Sequence, residues 1–561
     1  MTRRSTRPVF AVVVAAVVLL LSGASSNTSA STAGRPLLSP TDSTVRGVVW
    51  HPPRTAGPAL RQLRRIAATG ATALRLVGPL PADPVFDRAD SLGLALFVDL
   101  PVAYVSAPAL RDSLRAARPV LERLRRLARQ HPSLRAIGLA RGANTSDPAA
   151  CTPLRAWTRK IQDWSSSPST YYVTPFTASA DRCAAAVDRV LLDTRARPDP
   201  GARLGRWRDT DAAAGLGALG TWVRPGADPG LRVPHSPERQ ARYLETALGD
   251  VTGRSSGSAP VFVYRWRDSD HSPLPTRRHG LRTADGTARP AARVLEGMYR
   301  GTQRVFAFPD GTAPSRTPLV PLLLGWGILG LLGGLYTQSS FVRQTLSRYF
   351  TAHGFYRDAV REGRDIGRVE TLLLLGAVGA AMGIIGALAA RLAAPQVETG
   401  LFVEALPSAL QSPLGAALAH PAATGLVVGG GSAALLLGWA LLLVGVARLE
   451  RPFTAVQGIL LVTWPCWPAL LGMMVALVAA TDPPASPGVL GLVLLVGGLA
   501  TTAAVSARVL RDFWAVSRVE LPWVVVLTLP SPLVLLGVAA TICILEYEVP
   551  LRLLWHLLTR T

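Results

Sequence analysis

The sequence predicts an α/β (β/α)8 barrel that is exported and followed by an all-α polytopic membrane domain of about six helices. Three observations carry this. From Val45 onward short β-rich runs alternate with amphipathic helical ones, the pattern of parallel βα units. After Pro318 the chain changes character, and six long apolar runs follow one another. At the N-terminus arginines, an apolar run from Val9 to Leu21 and small polar residues stand in the order of a secretory signal. At 561 residues the chain is too long for one core, and its apolar residues are so unevenly spread that two solvents are implied.

The expected organisation is a signal peptide or signal anchor over 1–30, a linker over 31–44, the barrel over 45–305 and a linker over 306–317. The membrane domain covers 318–546 with a cytoplasmic loop at 337–370, and a tail takes 547–561. The apolar run at the N-terminus is short for a spanning helix, so removal and retention both stay open, and either exports the barrel. Expected strands are Arg46 to Pro52, Ala73 to Val77, the end of FDRADSLGLALFVDLP (Phe86 to Pro101), the run after His131, Tyr171 to Phe176, Arg189 to Asp193, Gly215 to Trp222 and Pro260 to Trp266. PALRQLRRIAATGA, after the first of these, reads as an amphipathic helix.

Four segments resemble the retaining glycoside hydrolases of the β-galactosidase/β-glucuronidase superfamily, in the same order. RQHPSLRAIGLARGANTSD (Arg129 to Asp147) is similar to their fourth-strand signature, where "R-N-H-P-S" leads into an apolar strand ending "G-N-E". The run Phe86 to Pro101 is similar to their "CD-x-x-G-hydrophobic" step, and SPERQARYLETAL (Ser236 to Leu248) to the helix after their seventh strand. HGLRTADGTARPAARVLEGMY (His279 to Tyr299) resembles the closing "G-L-x-x-x-D-G-x-x-[KR]-P-A". The resemblance implies a TIM barrel with its working face at the C-terminal ends of the strands.

It also implies two catalytic glutamates, and this chain lacks them at the matching positions. Aligned from His131, Pro132 and Ser133, the family's Asn and acid/base Glu fall on Arg141 and Gly142, and a small slide reaches only Asn144 or Thr145. The seventh-strand stretch Ala214 to Gly226, where the nucleophile would stand, holds neither Asp nor Glu. The barrel's glutamates, Glu122, Glu238, Glu245 and Glu296, all fall in expected helices. Retaining hydrolysis needs two carboxyl groups about 5 Å apart, so no catalytic residue is expected. The fallback candidates are the strand-end aspartates Asp99, Asp193 and Asp268. Against them stands the commoner use of such carboxylates in binding loop amides or arginines.

Trp50, His51, Trp222, Tyr264 and Trp266 are the expected sugar-binding residues, as rings and polar groups around the mouth, with core packing the alternative for each. No metal or other cofactor is expected, since His51 and His131 lack a spaced partner set, and the resemblance makes His131 structural. Cys151 and Cys183 can pair in an oxidising compartment or remain two buried thiols. Nearly all of the 59 basic residues are arginine, Lys160 being the one lysine, and the formal net charge is +23. That charge suits acidic glycans or a lipid surface, or is a solvated compositional bias. Carbohydrate and membrane lipid are therefore the expected partners, nucleic acid is not, and a protein partner stays open.

The apolar runs are Leu319–Tyr336, Thr371–Ala390, Ala423–Val446, Val456–Ala480, Val489–Ala507 and Pro522–Leu545. The loop Thr337 to Glu370 carries six arginines and the turns near Arg448 and Arg508 are basic, whereas Ala394 to Ala422 has no Arg or Lys. By the positive-inside rule the basic loops are cytoplasmic and the barrel lies outside the cytoplasmic membrane. Spans almost free of ionisable residues disfavour transport. Gly330/Gly334, Gly379/Gly383 and Gly425/Gly429 have helix-packing spacing, which chance also produces in segments so rich in glycine. Pro465 and Pro468 are expected to kink the fourth span. In the basic loop Arg357, Arg361 and Arg364 share a helical face, which favours a helix on the lipid surface and leaves a partner site as the alternative. Functionally the sequence points to a non-catalytic, carbohydrate-binding barrel tethered to the membrane. An active glycosidase with relocated carboxylates, and a transport or assembly component, are the alternatives.

Overall fold

The computed structural model describes residues 45–210, 212–254, 259–269, 278–312, 318–363, 367–481, 487–546 and 549–559. The expected signal segment, 1–30, and its linker lie outside the described residues. Eight parallel strands close into a barrel in sequential order: β1 Arg46–Trp50, β2 Ala73–Leu76, β3 Ala95–Asp99, β4 Leu134–Arg141, β5 Ser169–Thr174, β6 Arg189–Asp193, β7 Ala214–Leu219 and β8 Val261–Val263. β1 pairs with β2 from Gly47↔Ala73 to Trp50↔Leu76 and closes the ring on β8 at Gly47↔Phe262. The helices around it are α1 Ala56–Ala67, α2 Pro84–Ser91, α3 Ala107–Ala116, α4 Arg118–Gln130, α5 Cys151–Gln162, α6 Pro200–Arg208, α7 Pro237–Arg254 and α8 Pro290–Arg300.

Each helix forms for the reason α4 illustrates: Leu121, Leu124, Leu127 and Ala128 recur at three- and four-residue steps and are buried, with arginines on the other face. The core has two layers, because successive strand side chains point to opposite faces. Val49, Ala73, Phe97, Tyr171, Leu191, Phe262 and Tyr264 fill the inside of the barrel. Val48, Trp50, Leu74, Leu96, Leu192, Val263 and Trp266 face the helices. Charge also enters the inner layer. Arg75, 1% exposed, donates to Asp99 from Nε (3.0 Å) and Nη2 (2.5 Å) and to the Gly217 carbonyl from Nη1, and Tyr171 adds a hydroxyl to Asp99 at 2.7 Å.

The His-Pro-Ser motif is a structural turn. His131 Nδ1 lies 2.7 Å from Asp90, and the same carboxylate accepts from the Ser133 amide. Cys151 and Cys183 are joined by a disulfide, 32 residues apart in sequence.

The second half is helical: α9 Leu319–Gln338, α10 Ser340–Thr351, α11 His353–Glu362, α12 Arg368–Ala393, α13 Val397–Ala405, α14 Ser408–Ala419, α15 Pro421–Ala447, α16 Ala455–Thr463, α17 Pro468–Thr481, α18 Pro487–Ser517, α19 Leu521–Thr528, α20 Pro532–Glu546 and α21 Leu551–Thr559. Among the described residues α9, α12 and α15 are each long and apolar enough to cross a membrane. Two bent pairs, Ala455–Cys466 with Pro468–Thr481 (41°) and Leu521–Thr528 with Pro532–Ile542 (46°), raise the number to five if each is one span. The first of these bends falls at the prolines expected to kink the chain. The sixth expected span, Val489–Ala507, lies in α18, where side chains before 496 are outside the described residues.

Two expectations about the ends of this half meet a different arrangement. The segment expected as a tail contains α21, whose Leu553 and Leu557 are buried together with Leu401 and Ala405 of α13. The basic loop folds back on the bundle. Tyr349 and Tyr356 are buried, and Asp512 of α18 accepts from Arg357 (2.6 Å) and Arg508 and meets His353 Nε2 at 3.0 Å. Phe350 and Phe355 remain exposed, and Arg364 lies outside the described residues.

The glycine pairs separate into used and unused. A Cβ on Gly383 would lie 2.7 Å from the Gly425 carbonyl oxygen, and one on Gly429 would lie 2.8 Å from that of Gly379, so α12 and α15 touch backbone to backbone. Around Gly330 and Gly334 nothing lies within 4 Å. We therefore expect Gly383→Leu to destabilise the protein by about 1–3 kcal/mol through overpacking, and Gly330→Leu to be neutral, in thermal melts of the detergent-solubilised chain. Equal melting of the two variants would contradict this packing.

Candidate functional site

The C-terminal ends of the strands open into a cavity of about 660 Å³. Its barrel side is built from His51 after β1, Tyr104 and Ser106 after β3, Arg141 at the end of β4, and Tyr264 and Arg265 after β8. Its other side comes from the helical half: Glu404 to Pro407, Gln411 and Pro550. The site is thus shared by two parts of the chain.

The centre of the contact is Arg195, two residues beyond β6 and buried. It grips Asp193 from Nε (2.9 Å) and Nη2 (2.7 Å), donates to both Glu404 oxygens at 3.2 Å, and lies over the Tyr264 ring at 4.8 Å. Tyr104 donates its hydroxyl to Glu404 as well. Burial and that carboxylate push the Tyr104 phenol far up, so it remains a donor. Nearby, Arg197 pairs with Glu398 at 2.9 Å, and His556 Nδ1 lies 2.7 Å from the Ser146 hydroxyl and 2.9 Å from the Asn144 side-chain oxygen.

The fallback aspartates all have cationic partners. Asp99 is held by Arg75, Asp193 by Arg195, and Asp268 by Arg289 Nη2 and the Gly280 amide, both at 2.6 Å. None of the three lines the cavity. Of the expected sugar-binding residues His51 and Tyr264 line it. Trp50 is 1% exposed in the outer layer and donates to Gln62 at 2.8 Å. Trp266 is 2% exposed in the same layer with the Arg282 guanidinium over its ring, and Trp222 stacks on His235 at 3.6 Å. The mouth reading of these three indoles is therefore corrected: strand alternation turns Trp50 away from the mouth, Trp266 packs in the outer layer beyond the end of β8, and none of the three lines the cavity.

At Gly142, where the resemblance places the acid/base carboxylate, a side chain would collide with the Tyr104 ring. Gly142 has φ +64°, and a Cβ there would lie 2.6 Å from the Tyr104 ring. At the end of β7 a Cβ on Gly220 would lie 2.5 Å from the Tyr264 carbonyl oxygen. Thr145, reached by sliding the alignment, is buried and bonded to Asp181. Among the described residues no group of three or more potential metal ligands occurs.

The sequence reading passed over Tyr104, Arg195, Arg265 and Glu404. A signal for the last was present: Glu398 and Glu404 are the acidic residues of an Arg- and Lys-free segment between two apolar runs.

No family model matches this chain, and no curated protein matches it. Solved structures similar to it include a GH2 β-galacturonidase from Eisenbergiella tayi bound to galacturonate, 15% identical over 47% of this chain and 52% of that one, TM-score 0.42. Others are an uncultured Clostridium sp. β-glucuronidase (14%, 46% and 51%, TM-score 0.41) and an FMN-binding β-glucuronidase from Facaelibacterium prausnitzii L2-6 (16%, 46% and 44%, TM-score 0.39). The chain spans about half the length of these neighbours. Likeness at this level says nothing of what the mouth binds, and the barrel stands on its own strand pairing.

His51 gives the site a pH signature. Burial first, then Arg265, Arg141 and Arg75, hold its imidazole down at about 3, and burial holds His235 near 4. Between the ordinary value near 6.5 and these depressed ones, the unfolded chain takes up protons that the folded protein refuses, so stability falls as pH drops through that window. Unfolding measured from pH 6.5 to 4 should show a shallower loss for His51→Gln than for wild type, by at most about 1.4 kcal/mol per pH unit. Parallel curves would show that His51 is not buried as described.

Proposed function

We propose that this chain is a membrane-tethered, glycoside-hydrolase-like barrel that binds carbohydrate, acidic glycan above all, at the outer face of the cytoplasmic membrane without hydrolysing it. The observation that carries the non-catalytic part is the Tyr104 ring occupying the space at Gly142, together with a seventh-strand stretch, Ala214 to Gly226, that holds no Asp or Glu. Hydrolysis by retention needs two carboxyls about 5 Å apart, and by inversion about 6.5–9.5 Å, one of them free to give a proton. Asp99, Asp193 and Glu404 are instead all bound to guanidinium groups. Binding is supported by the lining: the Tyr104 and Tyr264 rings offer flat faces, while Arg141, Arg265, His51 and Gln411 offer polar groups.

The orientation is supported by which segments meet at the mouth. Residues 394–422, expected outside for want of basic residues, supply Glu404 to Gln411, and the chain end expected on that side supplies Pro550 and His556. In the basic loop Arg357 and His353 bind Asp512 instead, beside Arg508 of α18.

The full chain, purified in detergent, should take no label from inhibitors that trap a glycosyl-enzyme intermediate and should retain glycans on an array. Tyr264→Ala should weaken that retention by about 1–3 kcal/mol, the order of an aromatic contact. Hydrolysis of an aryl β-glycoside, abolished by Glu404→Gln or Asp193→Asn, would overturn the reading in favour of relocated carboxylates.

A further inference from the structure

The charges around the mouth do not pair off. Arg75 is matched by Asp99, and Arg195 by Asp193 and Glu404. Arg141 and Arg265 have no carboxylate partner among the described residues. Arg265 is the sharper case: it is 7% exposed, lines the cavity, and its Nε and Nη2 have no acceptor among the described residues. That Nε/Nη2 edge is the fork with which Arg75 holds Asp99 and Arg195 holds Asp193. Leaving such a fork buried and unmatched is unfavourable, which makes it a site for a ligand oxyanion. Arg141 lines the same cavity beside the Tyr104 ring, 5.5 Å away. His51 Nδ1 is likewise buried without a partner.

We propose that Arg141 and Arg265 form a subsite for a phosphate ester on the ligand. This rests on the reading that the mouth binds carbohydrate, and it adds a chemical class. A carboxylate satisfies one fork and leaves the second guanidinium unmatched. A phosphate ester has three terminal oxygens: two reach the Arg265 fork and the third serves Arg141, while its charge of nearly −2 balances both cations. The phosphate has two sources. One is a membrane lipid that ends in a phosphate monoester, which the cavity suits because its apolar wall of Ala405, Leu406, Pro407 and Pro550 belongs to the helical half. The other is a free sugar phosphate.

The test uses the full chain in phosphatidylcholine nanodiscs and titration calorimetry with farnesyl phosphate, farnesol, glucose 1-phosphate and glucuronate. A phosphate-bearing probe should bind, and Arg265→Gln and Arg141→Gln should each weaken it by about tenfold or more. Arg265→Gln should melt no lower than wild type, because its fork holds nothing in the fold; a structural arginine would lower the melt. Tighter binding of farnesyl phosphate than of glucose 1-phosphate assigns the phosphate to a lipid, and the reverse order to a free sugar phosphate. The proposal is overturned if farnesol binds as well as farnesyl phosphate, if glucuronate binds more tightly than glucose 1-phosphate, or if both arginine variants bind phosphate unchanged. Glycan retention without phosphate preference would leave the carbohydrate reading standing and remove the subsite. Arginine-dependent phosphate binding without glycan retention would do the opposite.

Discussion

One guanidinium, Arg195, joins the two halves of this protein. Its donors are divided between Asp193, on its own loop, and Glu404, which is 209 residues away in the short helix α13 between two apolar spans. All three groups are largely shielded from water, so each charge depends on the others: removing one partner of a buried pair typically costs about 3–5 kcal/mol, because the remaining charge stays buried and unmatched. Tyr104 completes the arrangement by donating to the same glutamate. The roof of the mouth is therefore held by this charged network and by the apolar cluster in which Tyr104 and Phe176 meet Leu401, Ala405 and Leu553, while the walls are set by strand packing.

That arrangement gives the cavity its character. In an open barrel the strand ends face water and whatever diffuses to them. Here the segment carrying Glu404, which lies between the long apolar helices α12 and α15, covers them. Asp99 is bonded to Arg75, and Asp193 and Glu404 share Arg195, whereas Arg141 and Arg265 line the enclosed space with no carboxylate bonded to them among the described residues. An enclosed site with cations to spare selects for an anion more strongly than an exposed one, since water screens it less.

Most of the barrel was legible because its signals are local. Short β-rich runs located all eight strands, and apolar spacing located the helix after the first of them. Which way a strand-end ring points was not legible. Trp50 stands one residue from His51, yet the first faces α1 and the second the cavity, and a single step of strand register decides between them. Glu404 was illegible for another reason: its partner lies in a different half of the chain, and only the fold brings them together. The absent carboxylates were visible as letters, but the Tyr104 ring that fills the space at Gly142 needed coordinates.

The central claim, that Glu404 of the helical half is held at the barrel mouth by a buried network with Tyr104 and Arg195, is tested most directly by a double-mutant cycle. Unfolding free energies would be measured in detergent for wild type, Tyr104→Phe, Glu404→Gln and the double variant. A shared buried network predicts a coupling between the two changes of about 0.5–3 kcal/mol, with the double variant less destabilised than the sum of the singles. Additivity within about 0.3–0.5 kcal/mol would mean that Tyr104 and Glu404 do not meet, and that the helical half does not close the mouth as described.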